Sequence, residues 1–517
     1  MRPGRFTLAT LMLLLVISPP CLRAKGKASH VMLVVCDGLQ PEFVTERDAP
    51  NLSALRRNGV FFARNHAVYP SSTNVNGAAL ATGSHPLHTG IIGNMEFRPA
   101  IDPHRPVDTA EGPDVLQGNT ALLAHYLLTP TLPEILHQAG ERTAIAGSKP
   151  VAQLFDRARD RQTAGAKESV VLYRGKILPL SEAERIQKTI GPFPVRDRLP
   201  NEKQDLWTTR ALTEILWKNG VPKFSLLWLS EPDLTEHDTA PGSPETLAAI
   251  RSSDEKLGRV IAALKEKRAL TTTDVLVVAD HGFSTIDLAV DVAERLRGAG
   301  FDAVRVFADR PPRGQVLVVS LGGSVELYVA EHDQQIIERL LEFLQQSDFA
   351  GVIFTCEAHP GSFTFAQAML PTRDAPDILV ACRWKETPNE FGVPGAIASD
   401  IGHTAGQGSH ATLSPFDMHN TLLVSGPDFR QGWVDESPTG NIDLAPTIAA
   451  ILGLPTPEKM DGRILSEAFR DGKPAPPAAS HTLESRNGAW HQTLRLTTVG
   501  ETTYLVEGNG GKEPTKP

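Results

Sequence analysis

Short apolar runs, three of them closing on acids or acid–histidine pairs, alternate along the chain with longer segments of helical periodicity. The clearest runs are "HVMLVVCDG" (30–38), "FSLLWLSEPD" (224–233), "DVLVVADHG" (274–282), "DILVACRW" (377–384) and "NTLLVSGPDF" (420–429), and their length and β-branched content predict strands. Between them "APNLSALRRNGV", "TPTLPEILHQAG" and "ETLAAIRSSDEKLGRVIAALKEKRAL" carry apolar residues at helical spacing. Continuous apolar strands interleaved with helices predict a parallel sheet covered on both faces, so the fold class is α/β.

The segment 283–400 has its own signals, "DLAVDVAERLRGAG", "SVELYVAE" and "DQQIIERLLEFLQQ". It reads as a smaller, cap-like subdomain inserted into the main unit, which then comprises 25–282 and 401–473. The extension 474–517 begins Pro/Ala-rich, forms a hairpin around "TLRLTTVGETTYLVEG" and ends in a polar tail. There is no internal repeat.

At the N-terminus, Arg2 and Arg5 precede an apolar stretch from Phe6 to Ile17, then Pro19, Pro20 and Ala24. That is the pattern of a secretory signal peptide over 1–24, and the stretch is short for a membrane span. The expectation is a secreted or periplasmic protein with no transmembrane segment in the mature chain. The "SPP" before Cys21 lacks the small-residue pattern of a lipidated cysteine, which argues against an anchor there. Removing 1–24, with three arginines and no acid, takes the formal charge from −9 to −12. So acidic a chain without a basic run does not suit nucleic acid. Cys36 lies in an apolar run and reads as a small buried hydrophobe, while Cys356 and Cys382 are left open as a pair or as free thiols.

Candidate chemistry sits where strands end. Asp37 closes "VVCDG", Asp233 and His237 follow in "LSEPDLTEH", and Asp280 and His281 close "VVADHG". In open α/β sheets ligands gather outside the carboxyl ends of strands, so these groups are expected to share a crevice. Each also has a plainer reading: Asp37 before Gly38 fits a turn, and "DLTEH" fits a capped helix with an exposed His237. Adjacent Asp280 and His281 are harder to place beside a core without a function. The stretch "GQGSHATLSPFDMHN" adds His410 in a Gly/Ser loop and His419 just before a strand; His410 is the better candidate, with His403 as a third choice. Thr73 lies in the turn "YPSSTNVNG", where it fits a helix N-cap or a reactive hydroxyl. Three Asp, three His and one hydroxyl are the inventory of a two-metal site, and this much imidazole favours two zinc ions over magnesium or calcium.

In order, Asp37, the Thr73 turn, "EPDLTEH", "ADHG", "GSH" and the late "GNIDLAPTIAAILGLPTPEKMDGRIL" resemble the alkaline phosphatase superfamily and, within it, the type I phosphodiesterase and nucleotide pyrophosphatase family. The resemblance covers about 30–283 and 400–470. It implies an alkaline-phosphatase-like fold and a threonine nucleophile at Thr73. One zinc would be held by Asp233, His237 and His410, the other by Asp37, Asp280, His281 and the Thr73 oxygen. It also implies phosphate contact by Asn76, and a small phosphodiester or nucleotide-like substrate cleaved through a phosphothreonine.

The sulfatase branch needs C/S-x-P-x-R, and "TNVNG" lacks both the Pro and the Arg. The monoesterase branch places an Arg on the phosphate, and no Arg lies near Thr73 in sequence, but a phosphate monoesterase of the same superfamily stays an alternative. Phosphonoacetate hydrolases share the Thr and are the rival enzyme class; phosphoethanolamine transferases share it too, but carry membrane helices. Better-studied relatives have an aromatic after the nucleophile where this chain has Asn74, which weakens the expectation of a nucleobase ligand. An inactive secreted binding protein is the non-enzymatic alternative; the full set of matched positions speaks against it.

Overall fold

The first strand shows why the main sheet is buried on both faces. In β1 (His30–Cys36), Val31, Leu33 and Val35 enter one core, and Met32, Val34 and Cys36 enter the other. Successive side chains on a strand point to opposite faces, so an unbroken apolar run needs cover on both sides. The first core is closed by α2 (Thr73–Thr82) and α6 (Leu444–Leu452), the second by α1 (Pro50–Asn58) and α4 (Pro244–Glu266). Burial pushes the Cys36 thiol up, as suits a residue that serves as a small hydrophobe.

The computed structural model describes residues 26–110, 126–157, 161–455 and 460–512. The signal-peptide reading, with Cys21, and the end of the polar tail lie outside these residues. Among them, no helix is long and apolar enough to cross a membrane.

The main sheet has nine strands. Besides β1 they are β2 (Val60–Phe62), β3 (Thr143–Gly147), β4 (Val170–Tyr173), β5 (Lys176–Leu178), β6 (Phe224–Leu229), β7 (Thr273–Val278), β8 (Leu422–Ser425) and β9 (Trp433–Asp435). Their order is β9-β2-β8-β7-β1-β6-β3-β4-β5. The run β7-β1-β6-β3-β4 is parallel, whereas β8 pairs antiparallel with β7 and with β2. The sheet is therefore mixed and mostly parallel, and the α/β class holds.

The run at 377–384 belongs elsewhere: Ile378–Cys382 lies in a six-stranded sheet with Val316–Ser320, Ser324–Val329 and Ala350–Thr355, against which α5 (Gln334–Gln346) packs. Ser284–Val290, Trp384–Pro388, Pro394–Asp400 and Gly408–Ser409 form a four-stranded sheet. Near the C-terminus the hairpin of Trp490–Val499 and Thr502–Lys512 gains a third strand, Ala478–Asn487. Cys356 and Cys382 are free thiols.

At the far end of β7 from these acids, Asp428 accepts from Lys27 N and Ala28 N at 2.6 and 2.9 Å and so pins the start of β1. Its own N–H bonds Asp274 Oδ1. Burial and the Asp428 carboxyl push Asp274 up to about 8. A carboxyl raised on folding keeps its proton where the unfolded chain, with a pKa of about 4, has lost it. Its stabilising contribution is complete below about pH 4 and gone once the pH has risen through about 8. Asp274→Asn is expected to flatten the fall in stability between about pH 5 and pH 9 and to raise stability at the alkaline end by roughly 1–2 kcal/mol. Thermal melting of both proteins across that range checks it; a variant less stable than the parent at alkaline pH counts against the shared proton.

Candidate active site

Four neighbouring parallel strands, β7, β1, β6 and β3, end side by side, and each delivers a charged group to one crevice. Beyond β7 come Asp280 and His281; Asp37 follows β1; Asp233 heads α3 (Asp233–Asp238) after β6; Lys149 follows β3. The turn after β1 requires glycine. Gly38 has φ +76° and a Cβ there would stand 3.2 Å from Asp233 Cβ, while its N–H donates to Asp280 Oδ1 at 3.1 Å. Asp233 N–H in turn donates to Asp37 O at 3.0 Å.

The three candidate histidines are fixed in the same way. His237 lies one helical turn beyond Asp233, with its Nε2 3.4 Å from Asp233 Oδ1. His410 Nε2 is 3.5 Å from the same oxygen, and the His281 and His410 rings stack at 3.7 Å. Each Nδ1 faces a backbone carbonyl: His237 that of Gly408 at 3.2 Å, His281 that of Gly282 at 2.9 Å, His410 that of Ser71 at 2.8 Å. A carbonyl accepts only from an N–H, so each ring carries its proton on Nδ1 and turns the Nε2 lone pair inward. His419 is elsewhere, with its Nε2 at Ala63 O, and His403 stacks on the outside of His237.

Two donor groups lie within ligating distance: Asp233, His237 and His410, and Asp37, Asp233 and His281. Asp233 belongs to both. Asp280 is not in the second group, but its Oδ2 stands 3.2 Å from His281 Nε2. Asp37 Oδ1, Asp233 Oδ1 and Asp280 Oδ2 are buried and have no hydrogen-bond partner among the described residues. An orphaned buried carboxylate oxygen is costly, and three of them facing three oriented imidazole lone pairs fit a bound divalent metal.

The electrostatics follow. Burial and the Asp280 charge push Asp37 well up, whatever Trp228 Nε1 at 2.7 Å and Lys149 return to it. Burial likewise raises Asp280. It acts on Asp233 too, but Lys149 and His237 outweigh it and hold that carboxyl well below the usual range. Burial would discharge Lys149, yet Asp233 and Asp37 keep it charged. His410 is lowered by burial and by His281.

Thr73 is the first residue of α2, and the cap position falls to Ser72, whose hydroxyl makes no capping bond. The Thr73 hydroxyl points instead into the cluster, 3.3 Å from His281 Nε2 and 3.5 Å from Lys149 Nζ. The Asn76 side chain is engaged within the turn. Its amide nitrogen donates to Val68 O and Ser72 O, and its oxygen accepts from Val68 N and Asn441 Nδ2, so the side chain is spent on holding the turn.

Another asparagine takes the outward place. Asn94 is partly exposed, and its oxygen accepts from Asn74 N in the first turn of α2 at 2.7 Å. Sequence reasoning missed Asn94 and Lys149.

The model of the family described as type I phosphodiesterase/nucleotide pyrophosphatase matches residues 31–388. Human ectonucleotide pyrophosphatase/phosphodiesterase family member 7 is 21% identical over 481 residues, 89% of this chain and 88% of its own length. A venom phosphodiesterase of Macrovipera lebetinus is 25% identical over 264 residues, half of this chain; the match spans about a quarter (26%) of the snake protein. Among solved structures, murine ectonucleotide pyrophosphatase/phosphodiesterase 5, an inactive form in complex with AMP, superposes with a TM-score of 0.58 at 17% identity, covering 85% of this chain and 100% of that one. That likeness shows a shared fold. With more than half of its length matched by the family model, the chain belongs to the type I phosphodiesterase/nucleotide pyrophosphatase family.

Proposed function

We propose that the protein is a secreted two-zinc hydrolase that cleaves phosphate diesters of nucleotide-like substrates by way of a phosphothreonine at Thr73. The observation that carries this reading is the position of the Thr73 hydroxyl, at a helix N-terminus and 3.3 Å from His281 Nε2 of the second donor group. Asp233, His237 and His410 would hold one ion, and Asp37, Asp280, His281 and the Thr73 oxygen the other, beside which Asp233, common to both donor groups, also lies. When bound, two zinc ions supply Lewis acidity, which favours an ionised hydroxyl and charge on the leaving oxygen.

Thr73 Oγ1 attacks phosphorus and loses its proton; the bond from phosphorus to the leaving oxygen breaks, and that oxygen departs with the electron pair. Water then attacks the phosphothreonine, the bond from phosphorus to the Thr73 oxygen breaks, and the hydroxyl recovers a proton. The amide nitrogen of Asn94, in the place expected of Asn76, and the Thr73 N–H at the start of α2 donate to nonbridging oxygens.

A nucleotide-like substrate is supported by the AMP bound to the murine relative, and by a mouse relative named bis(5'-adenosyl)-triphosphatase, 20% identical over 435 residues. We place the catalytic unit at 25–282 and 401–473, the inserted subdomain at 283–400 and the extension at 474–517. The test is turnover of bis-p-nitrophenyl phosphate, the p-nitrophenyl ester of thymidine 5'-monophosphate and p-nitrophenyl sulfate by zinc-loaded protein. Both phosphodiesters are expected to exceed the sulfate by at least ~100-fold in kcat/KM, with the nucleotide ester ahead. Turnover of none of them, or of the sulfate alone, would overturn the reading.

A further inference from the structure

One cation in the crevice has no part in the chemistry above. Lys149 Nζ lies 2.7 Å from Asp233 Oδ2, 3.0 Å from Asp37 Oδ2 and 3.5 Å from Thr73 Oγ1. Its side chain is 16% exposed. It binds the outer oxygens of the two aspartates, whereas the inner oxygens, Asp37 Oδ1 and Asp233 Oδ1, are the orphans that face the imidazoles. The lysine and a metal would therefore share these carboxylates from opposite sides without competing for the same atoms. An ammonium has three N–H donors in fixed tetrahedral directions. One donates to Asp233 Oδ2, the Asp37 carboxylate stands alongside as an ion pair, and the Thr73 oxygen, to which the phosphoryl group would come, is within reach of another.

The charge of that group decides what a third donor is worth. A diester has two nonbridging oxygens and one negative charge; a terminal monoester has three and, at neutral pH, close to two. Attraction to a fixed cation scales with the charge it faces, so Lys149 favours the dianion about twofold in energy over the monoanion. The sequence argument against monoesters also falls away: the cation missing beside Thr73 arrives from 76 positions along the chain.

We propose that Lys149 gives the site a second activity, hydrolysis of terminal phosphate monoesters, by holding the third nonbridging oxygen. The proposal rests on Thr73 being the nucleophile. The Thr73 oxygen bonds to phosphorus, and the ester bond breaks with its electron pair going to the alcohol, which takes up a proton. Water then cleaves the phosphothreonine to inorganic phosphate and returns a proton to Thr73.

The experiment compares p-nitrophenyl phosphate with bis-p-nitrophenyl phosphate on the zinc-loaded full chain, as parent, Lys149→Met, Lys149→Arg and Thr73→Ala. Lys149→Met is expected to lower the monoester-to-diester ratio of kcat/KM at least ~10-fold, and Lys149→Arg to recover part of it. Inorganic phosphate, followed by calorimetry on the zinc-loaded proteins, is expected to bind Lys149→Met at least ~10-fold more weakly than the parent. Should Lys149→Met fail to fold, the parent alone decides: inorganic phosphate is expected to inhibit diester turnover at least ~10-fold more strongly than diethyl phosphate. An unchanged ratio, equal inhibition by the two anions, or a parent without monoester turnover would overturn the proposal. Full activity of Thr73→Ala would instead remove the nucleophile assignment beneath it.

Discussion

Thr73→Ala is expected to lower diester kcat by at least ~10³-fold while leaving the fold and the metal content nearly intact. The side chain it truncates is small, lies at the end of a helix, and is not the cap of α2, so no helix energy depends on it. What the variant loses is the one hydroxyl that stands between His281 Nε2 and Lys149 Nζ. Thr73→Ser keeps an oxygen at that place and is expected to retain turnover within ~10–100-fold of the parent, since an added rotamer costs far less than a missing nucleophile. Rapid quench of parent and Thr73→Ser with a labelled substrate should trap label on the protein, and none on Thr73→Ala. A fully active Thr73→Ala, or label on another residue, would show that water attacks directly or that another group is the nucleophile.

Asp233→Asn is expected to damage both metal positions at once, whereas His237→Ala is expected to damage one. The reason is geometric: Asp233 alone belongs to both donor groups, and its Oδ1 is the point on which His237 and His410 converge. An amide is a poorer ligand than a carboxylate, and it also leaves Lys149 with only Asp37 as a close counter-charge. Bound zinc per chain, counted by atomic emission after dialysis, should fall from about two towards zero in Asp233→Asn and to about one in His237→Ala, with diester kcat/KM down by ~10²–10⁴-fold in the former. Two zinc ions retained by Asp233→Asn would mean that each position is completed without this carboxylate.

The parts legible in the sequence were those in which one physical rule dominates. Buried parallel strands must be apolar throughout, so β1, β6 and β7 announce themselves, and the acids that break them mark the crevice. β3 was invisible because "TAIAG" is short and made of small residues with weak strand preference, and Lys149 was missed with it. Asn76 misled through proximity in sequence. Three residues on from Thr73, its side chain turns back onto Ser72 and Val68, and the asparagine beside the first turn of α2 comes from position 94. The histidines show where the sequence serves: its Gly/Ser loop ranks His410 ahead of His419 and His403, and the chain path brings His410 onto Asp233.

The carbonyls of Gly408, Gly282 and Ser71 bear on the thermodynamics of loading. An imidazole free in solution exchanges its proton between two nitrogens, so part of its population holds a proton on the atom an incoming ion would need. Here the tautomer is selected during folding, and His410, kept neutral by its surroundings, has no proton to give up. The entropy of choosing among ring states has then been spent before any ion arrives. The crevice is thus prepared as a set of lone pairs, and the cost of that preparation belongs to the folding equilibrium rather than to the binding constant.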